Sequence, residues 1–371
     1  MVNGTNIELP REGLPLVSVL IAVLGKTELL VNCLQSLRRH LPRDVNLETI
    51  VVLAQVPFDE VTRLEASVSG ATFVQTPVNL GMAGSINLAR SFASGRYLVV
   101  LHDDAEIEPG WLEGLLAAAK AHPMAAAVGS KVLNFDGTLQ CAGACVWQNG
   151  LTTLNSSLAP LYDPEIGYPV DYCGTSSLLV LAEAFDAIGG CDEAFFPAYY
   201  VDVNIALSLR LLRRYVAVAP SSVILHHRGG SSSASYRQYV SGRNHDLFLR
   251  KWSQMLVEFG PYPSTDIETA TGNAVEKAAG FANSCAIAPT ALPSRAFRFD
   301  QQQQRLRHLQ LSESLNHDYA VHLERLLDEQ RAQVSQRSDE ADRRVADIMA
   351  STSWRLTAPL RWISTKILGS H

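Results

Sequence analysis

A short apolar run, Tyr97 to Leu101 (YLVVL), gives way abruptly to His102, Asp103 and Asp104, with Glu106 and Glu108 close behind. A Val- and Leu-rich run of that length suits a strand buried on both faces of a sheet. Carboxylates clustered at its end lie at the sheet edge, where open α/β sheets bind ligands. Their oxygens suit a hard cation, Mg²⁺ or Mn²⁺, which is usually shared with substrate phosphates. The plainer alternative is an acidic, solvated turn, since short acidic clusters are common false positives. A second candidate is NLGMAGSIN, Asn79 to Asn87, where Gly81 and Gly84 precede a helix expected over about 83–93. A glycine-rich helix start exposes backbone N–H groups to an anion or a close ligand. Glycines there also serve simply to make a tight turn.

The elements that must position these residues follow from periodicity. Val17 to Leu24 (VSVLIAVL) is a first buried strand, and Thr27 to His40 a helix with Thr27 as its N-cap. Strands over Thr49–Leu53 and Thr72–Gln75 enclose a helix over Phe58–Ser69. That alternation predicts a parallel, doubly wound sheet. Beyond the acidic run, Trp111–Ala121 reads as helix, and short strands are expected near Ala126–Val132 and Gly143–Val146. The Ser-, Pro- and Tyr-rich stretch Asn149–Pro169 reads as a loop, and loops of that length are often functional. A strand over Asp171–Leu181 and a short helix over Ala182–Ile188 come next. An amphipathic helix over Val203–Arg214 and strand ends at Val216–Ala219 and Ser222–His226 follow.

Composition excludes several classes. The chain has 371 residues, 47% of them hydrophobic, and a formal net charge of −6. That suits one large domain with an appendage, or two domains, and argues against a nucleic-acid binder acting through bulk charge. The six cysteines form no CxxC pair, and although Cys141 and Cys145 are spaced to share a helix face, no second ligand pair accompanies them. Reduced thiols rather than a zinc site are expected. No basic stretch leads into an apolar core at the N-terminus, so no signal peptide is expected. No uncharged apolar run reaches about 18 residues, so no membrane-spanning helix is expected either.

Four blocks in series carry a family resemblance: NLGMAGSIN, LHDDAEIEPGWL, GGCDEAFFPAYYVDV and HHRGGSS. From about Val17 to about Trp252 the chain resembles bacterial family 2 glycosyltransferases with the glycosyltransferase-A fold, nearest in pattern to the rhamnosyltransferase-like enzymes of surface polysaccharide assembly. The resemblance implies an α/β fold, a doubly wound, mostly parallel sheet with flanking helices, here followed by a long C-terminal helical tail. It also implies an inverting enzyme that uses a nucleotide-sugar donor, a glycan or lipid-linked acceptor, and Mg²⁺ or Mn²⁺. In the family the last Asp of a DxD motif holds the metal, a role that falls on Asp104. The resemblance further implies that His226 or His227 ligates the metal or contacts the diphosphate, with His227 taken as the ligand. Donor binding falls on Asn79, Gly81, Gly84, Asn87 and Asp103. The catalytic base, the Asp of a Glu-Asp pair after the aromatic block, falls on Asp202; such a base is worth roughly 10²–10⁴ in rate. This sequence departs from the pattern at His102 (usually Asp), Val201 (usually Glu) and Asn204 (usually Asp). It departs too along Ala22–Gly25, and at Leu53–Gln55, where an Asp is usual. Those departures support a competing reading, a non-catalytic binding or assembly module. A sugar nucleotidyltransferase is a third, but GKTELL is not the Gly- and Arg-rich loop it would need.

The expected organisation is a lead-in over 1–15, a catalytic domain over 16–255 and a connector over 256–300. A long helix or coiled coil over 301–350 and a basic amphipathic tail over 351–371 complete it. From Ser294 to Ala358 there is no Gly or Pro. Leu311, Leu315, Tyr319, Leu323 and Leu326 keep a helical stripe that either packs back on the domain or pairs with another copy. Ser351 to His371 holds Arg355, Arg361 and Lys366 with no acidic residue, beside Trp354 and Trp362. Basic charge with Trp and Leu suits a helix lying on an anionic membrane surface. The expected location is cytoplasmic, peripheral at the inner face of the cytoplasmic membrane.

Overall fold

The computed structural model describes residues 6–10, 13–42, 44–155, 166–227, 233–287, 291–294, 297 and 299–350. Its elements run β1 Ile7–Glu8, β2 Val17–Leu24, α1 Glu28–His40, β3 Leu47–Ala54, α2 Phe58–Ser67, β4 Val68–Ser69, β5 Ala71–Thr76 and α3 Gly81–Arg90. Next come β6 Tyr97–His102, β7 Ala105–Ile107, α4 Trp111–Ala121, β8 Ala125–Leu133, β9 Leu139–Cys141, β10 Ala144–Val146, β11 Thr152–Leu154 and β12 Tyr168–Val170. They end with β13 Ser177–Leu181, α5 Ala182–Ala187, a 3₁₀ turn at Glu193–Phe195, α6 Val201–Leu211, β14 Tyr215–His226, α7 Ala234–Leu256, α8 Ile267–Cys285 and α9 Gln301–Ala350.

Ten strands make one sheet in the order β12-β14-β8-β13-β6-β2-β3-β5, with β7 on β14 and β9 on β8. The half built first along the chain, β6-β2-β3-β5, is parallel, as its alternation with helices requires. β13 then enters antiparallel to both β6 and β8, which turns the second half into a mixed sheet. Helices cover both faces. On β2, Leu20 points into one core while Val19 and Ile21 point into the other, the period of two that a doubly covered strand must show. The first core takes side chains of α3, α5, α6 and α7; the second takes those of α1, α2 and α4.

Several local expectations are corrected. Thr27 stands at the start of α1 but does not cap it; its hydroxyl donates instead to Glu60 Oε2 at 2.7 Å. The two strand ends expected around 216–226 are one strand, β14, with a register shift between Ala219 and Val223. Cys141 and Cys145 lie on β9 and β10, not on a helix. Part of the stretch read as a loop over 149–169 forms β11 and β12; its residues 156–165 lie outside the described ones. The strand expected over 171–181 begins only at Ser177, because Tyr172 bridges sideways to Ala144 and the chain then turns at Thr175 and Ser176. The connector, read from the sequence as partly helical, contains α8, whose Val275, Ala278 and Cys285 are buried. Among the described residues no helix is long and apolar enough to cross a membrane.

Residues 1–312 form one compact unit and 313–371 a second. In the second, α9 runs to Ala350 and leaves Leu327, Val334, Val345 and Met349 more than half exposed.

Candidate active site

β6 is the spine of the site. Flanked by β2 and β13, it buries Leu98 to Leu101 and ends at His102. Asp103 and Asp104 turn the chain into β7, and β7 pairs antiparallel with the far end of β14 in a register that sets His226 opposite Ala105. That register, between residues more than a hundred positions apart, brings His226 to the acidic turn. One nitrogen or oxygen each of His102, Asp104 and His226 lie within 4.8 Å of one another. His226 Nε2 is 3.1 Å from Asp104 Oδ1, and His102 Nδ1 is 3.8 Å from the same oxygen.

His226 Nδ1 faces Gln140 Oε1 at 2.9 Å, and the Gln140 amide nitrogen donates to Asn134 Oδ1 at 2.9 Å. The oxygen of Gln140 therefore takes the Nδ1 proton. In the neutral ring Nε2 is then a lone pair facing a carboxylate oxygen, and two acceptors at that distance need a proton or a cation between them. Ligands about 2.1 Å from one octahedral ion lie about 3 Å apart, so the donor set fits a divalent cation. Burial first, then the neighbouring His226, lowers His102 to about 4, against the opposing pull of Asp104; it stays neutral at ordinary pH. Its Nε2 meets Thr175 Oγ1 at 3.1 Å. Burial and the adjacent Asp104 charge push Asp103 up to about 7.

His227 was expected as the histidine ligand. Successive residues at a strand end point to opposite sides, and the His227 ring stacks on Phe135 instead, centroids 3.7 Å apart. Only its backbone reaches the turn, N–H to Asp104 O at 3.1 Å.

Asp202 lies in the first turn of α6, where a helix favours negative charge. Tyr199 and Tyr200, just before it, both adopt positive φ, +71° and +63°. Non-glycine residues rarely do so, and such strain gathers at functional sites. Burial raises Asp202 to about 6, opposed by the Val203 N–H at 2.9 Å. A Cβ on Gly174 would sit 3.7 Å from Asp202 Oδ2. Gly174 thus faces Asp202 while its neighbour Thr175 touches His102. These two residues bring Asp202 and the acidic cluster to one place, and a strand reading of 171–181 concealed them.

Residues expected to bind the donor have other partners. The first N–H groups of α3 are taken within the protein: Gly81 N donates to Asn79 Oδ1 at 2.8 Å and Met82 N to Pro197 O at 2.7 Å. Gly81 lies against Phe196 and Pro197, and Gly84 against the His308 ring, so closely that a Cβ on either would fall within 3.0 Å of neighbouring atoms. Asn87 is buried; its amide donates to Cys191 O and Glu193 Oε1 and accepts from Cys191 N, all within 2.9 Å. This block fastens α3 to the Gly189–Pro197 stretch that leads into Asp202. Asn244 on α7 holds that stretch from its other side, donating to Phe195 O, Ala198 O and Tyr199 O. Nothing in the spacing of Asn244 marked it out. Val201 is core, and Asn204 accepts from the Trp252 indole at 3.1 Å, joining α6 to α7. The two absent carboxylates are therefore packing positions here.

Residues 18–187 match the model of glycosyl transferase family 2. Over that stretch the chain is similar to family 2 glycosyl transferases. Its sequence is 31% identical over 158 residues to the O-antigen biosynthesis protein RfbC of Myxococcus xanthus, covering 40% of this chain and 12% of that protein. It is 24% identical over 166 residues to an N-acetylglucosaminyl-diphospho-decaprenol L-rhamnosyltransferase of Mycobacterium tuberculosis, covering 41% of this chain and 54% of that one. The matched stretch thus spans less than two thirds of either relative. Among solved structures, GalNAc-T7 with UDP, GalNAc and Mn²⁺ superposes with a TM-score of 0.50 at 16% identity, over 75% of this chain and 56% of that one, a likeness of fold. The matched stretch runs from β2 to the end of α5 and holds the acidic turn at the end of β6.

Proposed function

We propose that this protein is an inverting glycosyltransferase that moves a sugar from a nucleotide-sugar donor to a glycan or lipid-linked acceptor in bacterial surface polysaccharide synthesis. The observation that carries the reading is the pairing through Gly174 and Thr175: a carboxylate held at about 6 on one side, a His–Asp–His cluster on the other. Asp202 accepts the proton of the acceptor hydroxyl as that oxygen attacks the anomeric carbon from the face opposite the leaving group. Asp104 and His226, with His102 beside them, hold a divalent cation, Mg²⁺ or Mn²⁺. When bound, the cation neutralises the leaving diphosphate as a Lewis acid. Asp103 and the backbone of the acidic turn border the donor. The relatives' names, O-antigen biosynthesis and rhamnosyl transfer, support the substrate class. The solved structure with UDP and Mn²⁺ supports a nucleotide-sugar donor and a metal.

The catalytic domain is assigned to 16–255, with 256–300 linking it to the helix over 301–350. That helix carries an exposed apolar stripe suited to a coiled coil with a second copy. Residues 351–371, outside the described ones, are assigned to the inner face of the cytoplasmic membrane. The test is release of nucleoside diphosphate from a panel of nucleotide sugars, with and without Mn²⁺ or Mg²⁺ and with lipid-linked acceptors. Metal-dependent release with at least one donor is expected; none with any donor refutes the assignment.

A further inference from the structure

A cavity of about 680 Å³ opens between the end of β10, the loop over 258–264 and the first half of α8. It shares no residue with the His102–Asp104–His226 cluster or with Asp202. Its volume falls in the range of sites that enclose a small molecule. Trp147, almost wholly buried, forms one wall, with its only polar side-chain atom engaged elsewhere, Nε1 donating to Thr153 Oγ1 at 2.8 Å. Tyr262 stands edge-on to it at 6.1 Å and is 44% exposed. The loop is clamped in place by Gln148 N donating to Gly260 O at 2.8 Å.

The polar groups of the wall are of both signs. Asp171 takes the Val146 N–H on Oδ2 at 3.0 Å, while Oδ1 has no partner among the described residues. The Lys277 ammonium likewise forms no hydrogen bond or ion pair among them. Arg210 is engaged by Glu258 at 3.2 Å and by the face of Phe281 at 3.7 Å. An anion entering here would meet Asp171, Glu258 and Glu276; a cation would meet Arg210 and Lys277. An apolar ligand would strip water from a carboxylate and an ammonium without replacing its hydrogen bonds. A neutral ligand rich in hydroxyls, with a C–H face for an aromatic ring, satisfies every wall. Burial, opposed by the Val146 N–H and then by Arg210 and Lys277, holds Asp171 at about 7, so that near neutrality its carboxyl both donates to and accepts from hydroxyls.

We propose that this cavity binds a neutral saccharide unit. On the glycosyltransferase reading above, on which this second step rests, it holds the acceptor glycan beyond the sugar that reacts. Arg210 in its wall lies eight positions after Asp202 on α6, about 12 Å along the helix, a span of a few sugar rings.

Saturation-transfer NMR on the full chain tests the site, with methyl glycosides of neutral hexoses and 6-deoxyhexoses as probes and methyl phosphate and a methyl glucuronide as charged comparators. Tyr262→Ala and Lys277→Ala change exposed side chains. Each is expected to weaken binding about tenfold, the loss of one contact of about 1.4 kcal/mol, with nucleoside diphosphate binding unchanged. No transfer to any neutral glycoside, transfer indifferent to both substitutions, or tighter binding of a charged comparator overturns the proposal. If a glycoside binds here yet no donor is ever turned over, the transferase reading fails and the saccharide site stands. If donors turn over and no glycoside binds, the site fails alone.

Discussion

Asp104 and Asp202 carry different chemistry because their surroundings differ. Asp104 is approached by imidazole nitrogens, whereas Asp202 is buried with only backbone N–H groups, that of Val203 first, to offset the loss of water. Asp104→Ala is expected to abolish metal-dependent donor binding while leaving the melting temperature within a few degrees of the parent. Calorimetric titration of a nucleoside diphosphate with Mn²⁺ reads this, and unchanged affinity would take Asp104 out of the site. Asp202→Asn should retain donor binding and lose at least about 10²-fold in turnover, as for a removed general base. The sign of the pH effect follows from the raised value. Protonation removes the base, so kcat/KM should be flat above about 6 and fall as the pH drops through it. A rate that holds constant well below that value would mean another group takes the proton.

At the scale of elements, the site depends on how α3, the Gly189–Pro197 stretch and α7 lock together. Gly84 shows which effect wins. In an isolated helix, Gly→Ala would stabilise by about 1 kcal/mol. Here the added Cβ would fall 2.6 Å from Nε2 of His308, which is wholly buried and anchored through Nδ1 to Gln304 O at 2.8 Å. Overpacking a rigid site costs about 1–3 kcal/mol. Gly84→Ala should therefore lower stability despite its helix propensity, and His308→Ala in the same chain should recover most of the loss. Denaturant unfolding of the four proteins of that cycle tests it; a single substitution that stabilises would show that the first turns of α9 yield instead. The same contact gives the block, legible in sequence, a packing role. Its glycines mark a close approach, of Pro197 and Phe196 at Gly81 and of His308 at Gly84.

At the scale of the whole chain, the last stretch differs in composition from what precedes it. Arg355, Arg361 and Lys366 stand there with no acidic residue, beside Trp354 and Trp362. Each basic residue near an anionic surface contributes on the order of 1 kcal/mol, and tryptophans favour the interface. Pro359 interrupts the run, so binding should be weak, reversible and lost in high salt. Truncation after Ala350 is expected to abolish sedimentation with anionic liposomes without changing the oligomeric state in solution. A truncated chain that still pellets, or one that turns monomeric while the full chain is dimeric, would assign the tail to self-association instead.

Local pattern alone was enough for the parallel half of the sheet. The buried runs of β2, β3 and β6 and the helices between them have one stable arrangement, since runs apolar on both sides must be covered on both faces. The same pattern was enough to place Asp104 just past a strand end; Asp202 came from the family resemblance, and only the fold set it inside a helix, which begins at Val201 rather than at Val203. What the fold alone decided depends on contacts between residues far apart in the chain. The register of β7 on β14 chooses His226 over His227 for the acidic turn, because adjacent residues of a strand face opposite ways. The sideways bridge of Tyr172 to Ala144 delays the start of β13 to Ser177 and frees Gly174 and Thr175 to lie between the cluster and Asp202. Neither choice leaves a mark in composition or periodicity, since both sides of each alternative are equally suited to a strand.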